Sequence, residues 1–203
     1  MHYKRKIMVK DRFFRIYMQK ESNGAEVKDT ITSFGMYVNE NPFKPCEAVK
    51  EPTKRTWNDS HGDDEYISPE GLFMAAYENE VKFLFKSNAF GANEKCKAFV
   101  DYLRTSGMIK MYCEFNKVGR RHVRLKSISH TLDRDPNNED ILTLSVTFKF
   151  NDPVTDIVPH TDNNGNIDNL IEKYIDERFN NLMINAIYDE KTETIYFQKG
   201  TLN

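Results

Sequence analysis

The chain has 203 residues, a formal net charge of -2, and a composition of 39% hydrophobic and 30% charged residues. This length and apolar content favour one main globular domain with an appendage and exclude an intrinsically disordered chain. The nearly balanced charge provides no overall field to hold nucleic acid or an anionic membrane, which disfavours a dedicated DNA-binding protein.

The N-terminal residues are basic but lack the apolar run of about 7 to 15 residues that a signal peptide requires. No later stretch approaches the roughly 20 apolar residues of a transmembrane helix. We therefore expect a protein with no membrane segment that is made and kept in a cytoplasm. The three cysteines, Cys46, Cys96 and Cys113, form no CxxC pair, and we expect them to be buried free thiols.

Alternation of apolar and polar residues predicts antiparallel strands along most of the first 150 positions. In chain order, the predicted strands lie at residues 14–18, 30–39, 81–86, 109–115, 121–128 and 140–151. The turn at 117–120 makes a hairpin of the fourth and fifth strands. The strongest alternation, in 140–151, places five residues on one face: Leu142, Leu144, Val146, Phe148 and Phe150.

One helix is predicted between the third and fourth strands, over residues 92–105. Its apolar residues follow the i, i+3, i+4, i+7 spacing of an amphipathic helix, namely Cys96, Phe99, Val100 and Leu103. Asn93 is a candidate N-cap, and Gly107 stands where a left-handed C-cap is expected. Together these elements predict a mainly β fold, an antiparallel β-sandwich or barrel with one flanking α-helix.

Residues 40–71 show no usable period, yet they contain four of the seven prolines and the only tryptophan, Trp57. A loop this long inside a compact domain is unusual and tends to be functional. We interpret it as an arm or wrapped loop inserted into the β domain.

The pattern changes near residue 160, where a turn-like segment, 161–166, ends the predicted β domain. An apolar stripe beyond it predicts a helix of about twenty residues, and residues 194–197 predict one short strand. The stripe comprises Ile167, Leu170, Ile171, Tyr174, Ile175, Leu182, Met183, Ala186 and Ile187. We therefore divide the chain into a β domain, 1–160, and a C-terminal helical extension with a short strand, 161–203.

None of the polar segments has the residue spacing that a metal-binding or catalytic site requires. His61 lies near Asp63 and Asp64, but no second histidine stands at a metal-binding spacing, and a surface or interface turn explains the cluster better. Residues 133–139 begin like a calcium loop but lack its glycine and its final glutamate, so a hairpin turn is predicted there. No nucleophile elbow, phosphate loop or dinucleotide fingerprint is present. We predict no catalytic, metal-binding or cofactor-binding residue, and a protein that is not an enzyme.

A basic run lies on the predicted hairpin and comprises Arg120, Arg121, Arg124 and Lys126. A single-strand nucleic-acid site would also need stacking aromatic residues, and only Tyr112 is expected nearby. We expect the run to be solvated and to pair with carboxylates on a neighbouring subunit.

The order of these parts resembles a known family. A strand at 80–86 leads to a helix containing Phe99-Val100-Asp101-Tyr102-Leu103, then to the hairpin 109–125 and to a strand that closes on Asn151-Asp152-Pro153. Over residues 75–155 this order resembles the N-terminal domain of bacteriophage distal tail proteins and, more loosely, tail tube proteins. The loop residues 54–59 and 61–64 resemble an assembly loop of tail proteins.

The resemblance implies a structural virion protein, assembled in the host bacterial cytoplasm, that forms a ring where the tail tube meets the tip or baseplate. A hexamer is the implied ring size. The implied partners are other copies of the chain and tail tube, tape-measure and baseplate or tail-tip proteins, while DNA passes the lumen without specific binding. The resemblance carries over no catalytic residue.

We expect the assembly contacts in the long loop and the C-terminal stripe. The candidate residues are Arg55, Trp57, His61, Asp63, Asp64, Tyr66, Leu170, Tyr174 and Ile175. Many distal tail proteins carry a sizeable second domain, whereas about forty residues follow the β domain here. A tail tube, terminator or adaptor subunit therefore stays an alternative.

Two hypotheses from other classes also stay open. In the first, the chain is a non-viral soluble binding module whose loop from Trp57 to Tyr66 holds a small ligand or peptide. In the second, it is a metal-dependent hydrolase with a site assembled from His61, Asp63 and Asp64.

Overall fold

The computed structural model describes residues 13–22, 24–38, 40–44, 48–59, 61–88, 91–134, 139–173, 184–189 and 194–199. Within these ranges the chain forms antiparallel strands and a single α-helix, which confirms the predicted mainly β fold with one helix.

The strands are β1 (Ile16–Lys20), β2 (Lys28–Asp29), β3 (Met36–Val38), β4 (Thr53–Thr56), β5 (Asp63–Tyr66), β6 (Tyr77–Asn88), β7 (Ile109–Cys113), β8 (Val118–Arg134), β9 (Glu139–Phe150), β10 (Ile157–Thr161), β11 (Ile167–Glu172), β12 (Ile184–Asp189) and β13 (Thr194–Lys199). The helix, α1 (Gly91–Ser106), connects β6 to β7. Seven strands form one sheet in the order β2-β1-β7-β8-β9-β6-β3, and three two-stranded hairpins are added: β4-β5, β10-β11 and β12-β13.

The main sheet curls towards a closed barrel. The backbone N–H of Phe14 donates to the carbonyl oxygen of Val38 over 3.2 Å, which brings β3, at one end of the sheet, beside the start of β1, near the other end. Thr30 links the same two strands, since its N–H donates to Ile16 and its carbonyl accepts from Met36. Curling of this kind pairs backbone groups that an open sheet would leave free at its ends.

The barrel interior is filled by the residues that alternation in the sequence placed on one face. In β9 the buried residues are Leu142, Leu144, Val146, Phe148 and Phe150, as predicted. Their neighbours across the β6–β9 pair are also buried, with Val81 opposite Val146 and Phe83 opposite Leu144. Residues directly opposite in an antiparallel pair share a face, so the two long strands present one continuous apolar surface.

Helix α1 packs on this surface through Ala92, Cys96, Phe99, Tyr102 and Leu103. Phe99 lies at the centre, with its ring centroid 5.2 Å from that of Phe34 and 5.1 Å from that of Phe83. The helix ends as predicted before Gly107, which has a φ of +67°. The predicted N-cap at Asn93 is wrong, because the helix already begins at Gly91.

Two predictions in the first half of the chain are corrected. The strand expected over 30–39 is confined to β3, because Asp29 accepts hydrogen bonds from the N–H groups of Ile31 and Thr32 and holds residues 30–34 in a turn. The long loop, expected to lack regular structure, contains the β4–β5 hairpin. The hairpin turn predicted at 133–139 is supported by the pairing of Arg134 with Asp140, although 135–138 lie outside the described residues.

The predicted C-terminal helix is wrong wherever the structure describes it. Residues 167–172 form β11, which pairs with β10, and residues 184–189 form β12, which pairs with β13. The helical spacing arose from short apolar segments on separate strands. The β-branched isoleucines favour extended structure, and the Asp168-Asn169 pair disfavours a helix interior. Residues 174–183 lie outside the described residues, and the short strand predicted at 194–197 is confirmed within β13.

The β10–β11 hairpin is fixed to the outside of the barrel. Its Ile157 and Leu170 form a second apolar cluster with Tyr112 of β7. Gln19 of β1 accepts a hydrogen bond from the Leu170 N–H over 3.0 Å and donates to the Asn169 side chain over 2.8 Å. The domain boundary near residue 160 stays a prediction, and the strands on either side of it pair with each other.

Candidate assembly surface

The long loop folds into an exposed arm, which we define as the described residues from 48 to 74. Its two ends run side by side, because the backbone N–H of Lys50 donates to the carbonyl oxygen of Phe73 and the backbone N–H of Ala75 donates to that of Ala48. Between them stands the β4–β5 hairpin, in which Thr53 lies opposite Tyr66 and Arg55 opposite Asp64. Every described side chain of residues 53–67 is exposed. The arm is therefore a surface element and contributes nothing to the barrel core.

All six of the interface residues predicted in the loop lie on this hairpin, and three of them contact one another. The Trp57 indole Nε1–H donates to Asp64 Oδ2 over 2.8 Å, and the Arg55 guanidinium lies 3.6 Å from the centre of the indole ring. Asp63 accepts a hydrogen bond from Thr56 Oγ1 over 2.7 Å. His61 lies in the turn between the two strands and is exposed. These contacts order the hairpin with its charges at the surface.

The base of the arm is apolar. Seven of the fourteen exposed large apolar side chains of the described residues lie in the arm. Besides Trp57 they are Val49, Tyr66, Ile67, Leu72, Phe73 and Met74, with exposed fractions between 37% and 72%. A shallow cavity of about 170 Å³ opens among them, lined by residues that include Pro52, Ile67, Leu72 and Phe73.

Of these base residues, only Tyr66 was predicted to lie at an interface. The others could have been found from the run Leu72-Phe73-Met74, which follows Gly71 at the end of a loop without any strand or helix period. Consecutive apolar residues in an exposed segment are unfavourable unless another surface covers them.

Leu170, the one C-terminal candidate among the described residues, does not join this surface. Leu170 is 0% exposed and belongs to the second apolar cluster, so it leaves no area for another subunit to contact. Tyr174 and Ile175 lie outside the described residues. Among the described residues, the predicted interface residues that remain exposed are those of the arm.

The basic run of β8 forms its ion pairs within the chain, so the prediction that it pairs with a neighbour's carboxylates is wrong for three of its four residues. Arg120 pairs with Asp156, Arg121 with Asp152 and Glu172, and Lys126 with Glu78. The first two arginines hold the segment around β10 and the end of β11 against the barrel. Spacing along β8 could not reveal this, because the carboxylates come from distant parts of the sequence.

Asp152 is the most strongly held of these carboxylates. Burial alone would raise its pKa, but hydrogen bonds from the Thr155 N–H and the Arg121 guanidinium outweigh burial and keep the pKa of the carboxyl well below its usual range. The Arg121 Nε–H lies 2.7 Å from Asp152 Oδ2. The carboxylate is thus ionised throughout the neutral range and anchors the connection between β9 and β10.

A second candidate surface is the outer half of β8. This strand pairs with β9 from Val123 to Arg134 but with β7 only from Val118 to Val123. Residues 124–134, which we call the β8 edge, therefore have a paired strand on one side only within the described part of the chain. The sequence predicted this strand to end at residue 128, so the free edge was missed.

Other kinds of site find no support in the described ranges. No group of three or more His, Cys, Asp and Glu side chains there is arranged to hold a metal ion. In the same ranges, no helix has both the length and the apolar character needed to cross a membrane.

Comparison with known proteins finds no family and a weak likeness to solved structures. No protein-family model matches the sequence, and no curated protein matches it significantly. Among solved structures, the chain is similar to the crystal structure of the SPP1 Dit (gp 19.1) protein, described as a paradigm of the hub adsorption apparatus in phages that infect Gram-positive bacteria. The TM-score is 0.47 and the identity 15%, over 71% of this chain and 52% of that one, so the chain spans about half the length of that protein.

Proposed function

We propose that the protein is a structural subunit, not an enzyme, and that it works by assembling with copies of itself. The observation that carries this proposal is the exposed apolar base of the arm, where Tyr66, Ile67, Leu72 and Phe73 are each more than half exposed. Soluble monomers rarely leave a concentrated apolar patch in water, and such patches commonly mark protein interfaces. The rigid barrel beneath would hold the arm in a fixed orientation, as a repeated contact requires.

The polar part of the arm favours a protein partner over a small ligand. The Trp57 ring already stacks with Arg55, and its N–H already has an acceptor in Asp64. An aromatic residue of a small-ligand site would need these positions for the ligand. The shallow cavity beside it suits the insertion of one side chain from another protein surface.

Within this proposal, we place the assembly in a bacteriophage tail, as a ring of six subunits where the tail tube meets the tip or baseplate. The support is the order of segments described above, together with the barrel, flanking helix and hairpin that this order implied. In that setting the ring surrounds a channel for the tape-measure protein and DNA and contacts tube and baseplate proteins. A gene for a tape-measure protein beside the gene for this chain would support the placement.

The test is the mass of the purified chain in solution across a wide concentration range, by light scattering after size exclusion, with electron microscopy of any large species. We expect discrete rings. Stacked rings forming tubes would assign the chain to the tail tube instead of the junction. A chain that stays monomeric at every concentration would contradict the proposal.

A pair of variants shows whether the arm is responsible. The double substitution Leu72→Ser and Phe73→Ser should abolish the large species, because it makes the apolar base polar. Val154→Ser removes an equally exposed apolar side chain outside the arm and should leave assembly unchanged. Equal loss in both variants would exclude a specific role for the arm.

A further inference from the structure

The β8 edge is an incomplete part of the main sheet. From Lys126 to Asp133 every side chain is exposed on both faces of the strand. Ile128 and Leu132 lie opposite Val146 and Leu142 of β9, and these opposite residues are buried. Ile128 and Leu132 therefore face the same side as the core but remain 43% and 58% exposed. The apolar surface of the sheet continues onto β8 without a neighbouring strand.

This edge also lacks most of the features that protect edge strands from pairing. Natural edges are kept short or carry proline, inward charges, lysine or bulges. The bulge between Leu125 and Ser127 and the adjacent Lys126 lie at the start of the edge. The following residues, Ser127 to Asp133, contain no proline and no lysine. Seven residues in extended conformation span about 23 Å, long enough for a full strand to pair.

The β4–β5 hairpin also has strand edges without a partner in the described part of the chain. It consists of two four-residue strands with every described side chain exposed, and among the described residues each strand has a partner on one side only. An isolated two-stranded hairpin of this size is marginally stable in water, and a third strand would stabilise it. In the described part of the chain, no strand pairing joins this hairpin to the β8 edge, and a second copy of the chain offers an unpaired strand to each.

The charges of the two edges match. Strand β5 is acidic, with Asp63, Asp64 and Glu65 in succession. From Arg124 to Leu132 the β8 edge contains Arg124 and Lys126 and no acidic residue, and this stretch stays net positive when Lys126 is counted with its partner Glu78. Pairing of two β8 edges would instead place like charges together. A second copy of this chain supplies the acidic, unpaired strand that the edge fits.

We propose that β5 of one copy pairs with the β8 edge of the next, so that the β4–β5 hairpin extends the neighbour's sheet. This inference rests on the proposed self-assembly and names its contact. Because the two surfaces differ, the contact is head-to-tail, and repetition of such a contact closes a ring when the rotation between subunits permits. The exposed Tyr66 and Ile67 at the end of β5 would then lie near Ile128 and Leu132 of the neighbour.

The test uses disulfide cross-linking between two different preparations of the full chain, each with one introduced cysteine in a Cys46→Ser background, where the remaining thiols, Cys96 and Cys113, are buried. One preparation carries Asp64→Cys or Glu65→Cys, and the other carries one cysteine at each position from 128 to 131 in turn. On mixing and oxidation, we expect mixed dimers whose yield alternates with period two along β8, because successive residues of a strand point to opposite faces. Lys97→Cys, on the exposed side of α1, is the matched control and should give no mixed dimer.

A charge reversal provides an independent readout. The substitution Arg124→Glu should weaken self-association by roughly tenfold, because it places a carboxylate against the acidic strand β5 of the neighbour and leaves the contacts within the hairpin intact. Lys97→Glu reverses one charge of the same sign on α1 and should have no effect. Circular dichroism of each variant establishes that the barrel remains folded.

The outcomes separate this inference from the proposed function. Rings that persist with no cross-link to β8, or cross-links only between two β8 edges, would overturn the β5–β8 contact while self-assembly stands. A wild-type chain that never associates would overturn the proposed function itself. Alternating mixed cross-links together with weaker assembly of the charge-reversed β8 edge would support both.

Discussion

Gly119 and Ile157 approach so closely that a Cβ on Gly119 would lie 2.4 Å from the Ile157 carbonyl oxygen. This contact joins β8 to β10 and lies beside the ion pair between Arg120 and Asp156. The absence of a side chain at position 119 is therefore what allows the β10–β11 hairpin to pack against the barrel.

We expect Gly119→Ala to destabilise the protein by about 1 to 3 kcal/mol, because the added methyl group forces backbone away from backbone. Chemical denaturation would measure the free energy of unfolding, and hydrogen exchange should show the loss concentrated in β10 and β11. Val154→Ala, in the exposed segment before β10, is the control and should change the stability little. Unchanged stability of Gly119→Ala would contradict the close packing.

Asp152 predicts a dependence of stability on pH. Its folded-state pKa lies below the ordinary value of 3.8, since burial, which would raise the pKa, is outweighed by hydrogen bonds from Thr155 and Arg121. A lowered pKa stabilises the fold fully at pH values well above 3.8, and this contribution is lost progressively as the pH falls from that value through the lower folded-state pKa.

Asp152→Asn should therefore cost about 1 to 3 kcal/mol at neutral pH, because it removes a charged acceptor from Arg121. The difference from wild type should shrink as the pH is lowered below 4. Unfolding free energies at several pH values would show this, with Asp59→Asn on the exposed arm as the control. A difference that stays constant with pH would contradict the role of the charge.

Lys117 has a left-handed backbone, with a φ of +58°, in the tight turn between β7 and β8. Its N–H donates to the carbonyl oxygen of Cys113 over 3.1 Å, and its side chain is exposed. Lys117→Gly should raise the free energy of unfolding by a few tenths to about 1 kcal/mol, because glycine adopts this conformation without steric cost. Lys117→Val should lower it, since β-branched residues are disfavoured there. Thermal or chemical denaturation of both would decide, and a valine variant as stable as the glycine variant would contradict the strain.

The buried thiols predict low chemical reactivity. Burial raises the pKa of both the Cys96 and the Cys113 thiols, so little of the reactive thiolate is present near neutral pH. In a Cys46→Ser variant, a thiol reagent should react slowly with the folded protein and rapidly after denaturation. The rate with free cysteine under the same conditions is the reference. Rapid reaction in the folded state would show that one of these side chains is accessible.

The core could be predicted from the sequence because it depends on local alternation. Leu142 to Phe150 in β9 and Phe99 in α1 lie on the faces that their spacing assigned to them. Burial of one face of a strand or helix leaves a periodic trace in the sequence, whatever the partner. The same reasoning placed Gly107 at the end of the helix, because a left-handed C-cap is a local requirement.

The C-terminal segment shows where that reasoning fails. Leu170 and Ile171 follow Ile167 at the helical i+3 and i+4 spacings, yet Leu170 lies on a strand that pairs with β10 and bonds to Gln19. The partners of Arg120 and Arg121 were likewise assigned to another subunit, although Asp156 and Asp152 lie in the same chain. Pairing between strands and between charges depends on distances through space, which local spacing does not encode.

The sequence by itself therefore determined the fold class, the core faces and the location of the exposed arm, since each follows from composition and period along a short segment. Only the tertiary structure decided that β3 returns to the start of β1, that the arm contains a charged hairpin, and that β8 extends past β7 with a free edge. Strand length and strand order decide which backbone groups are left unpaired, and both are set by contacts between distant residues.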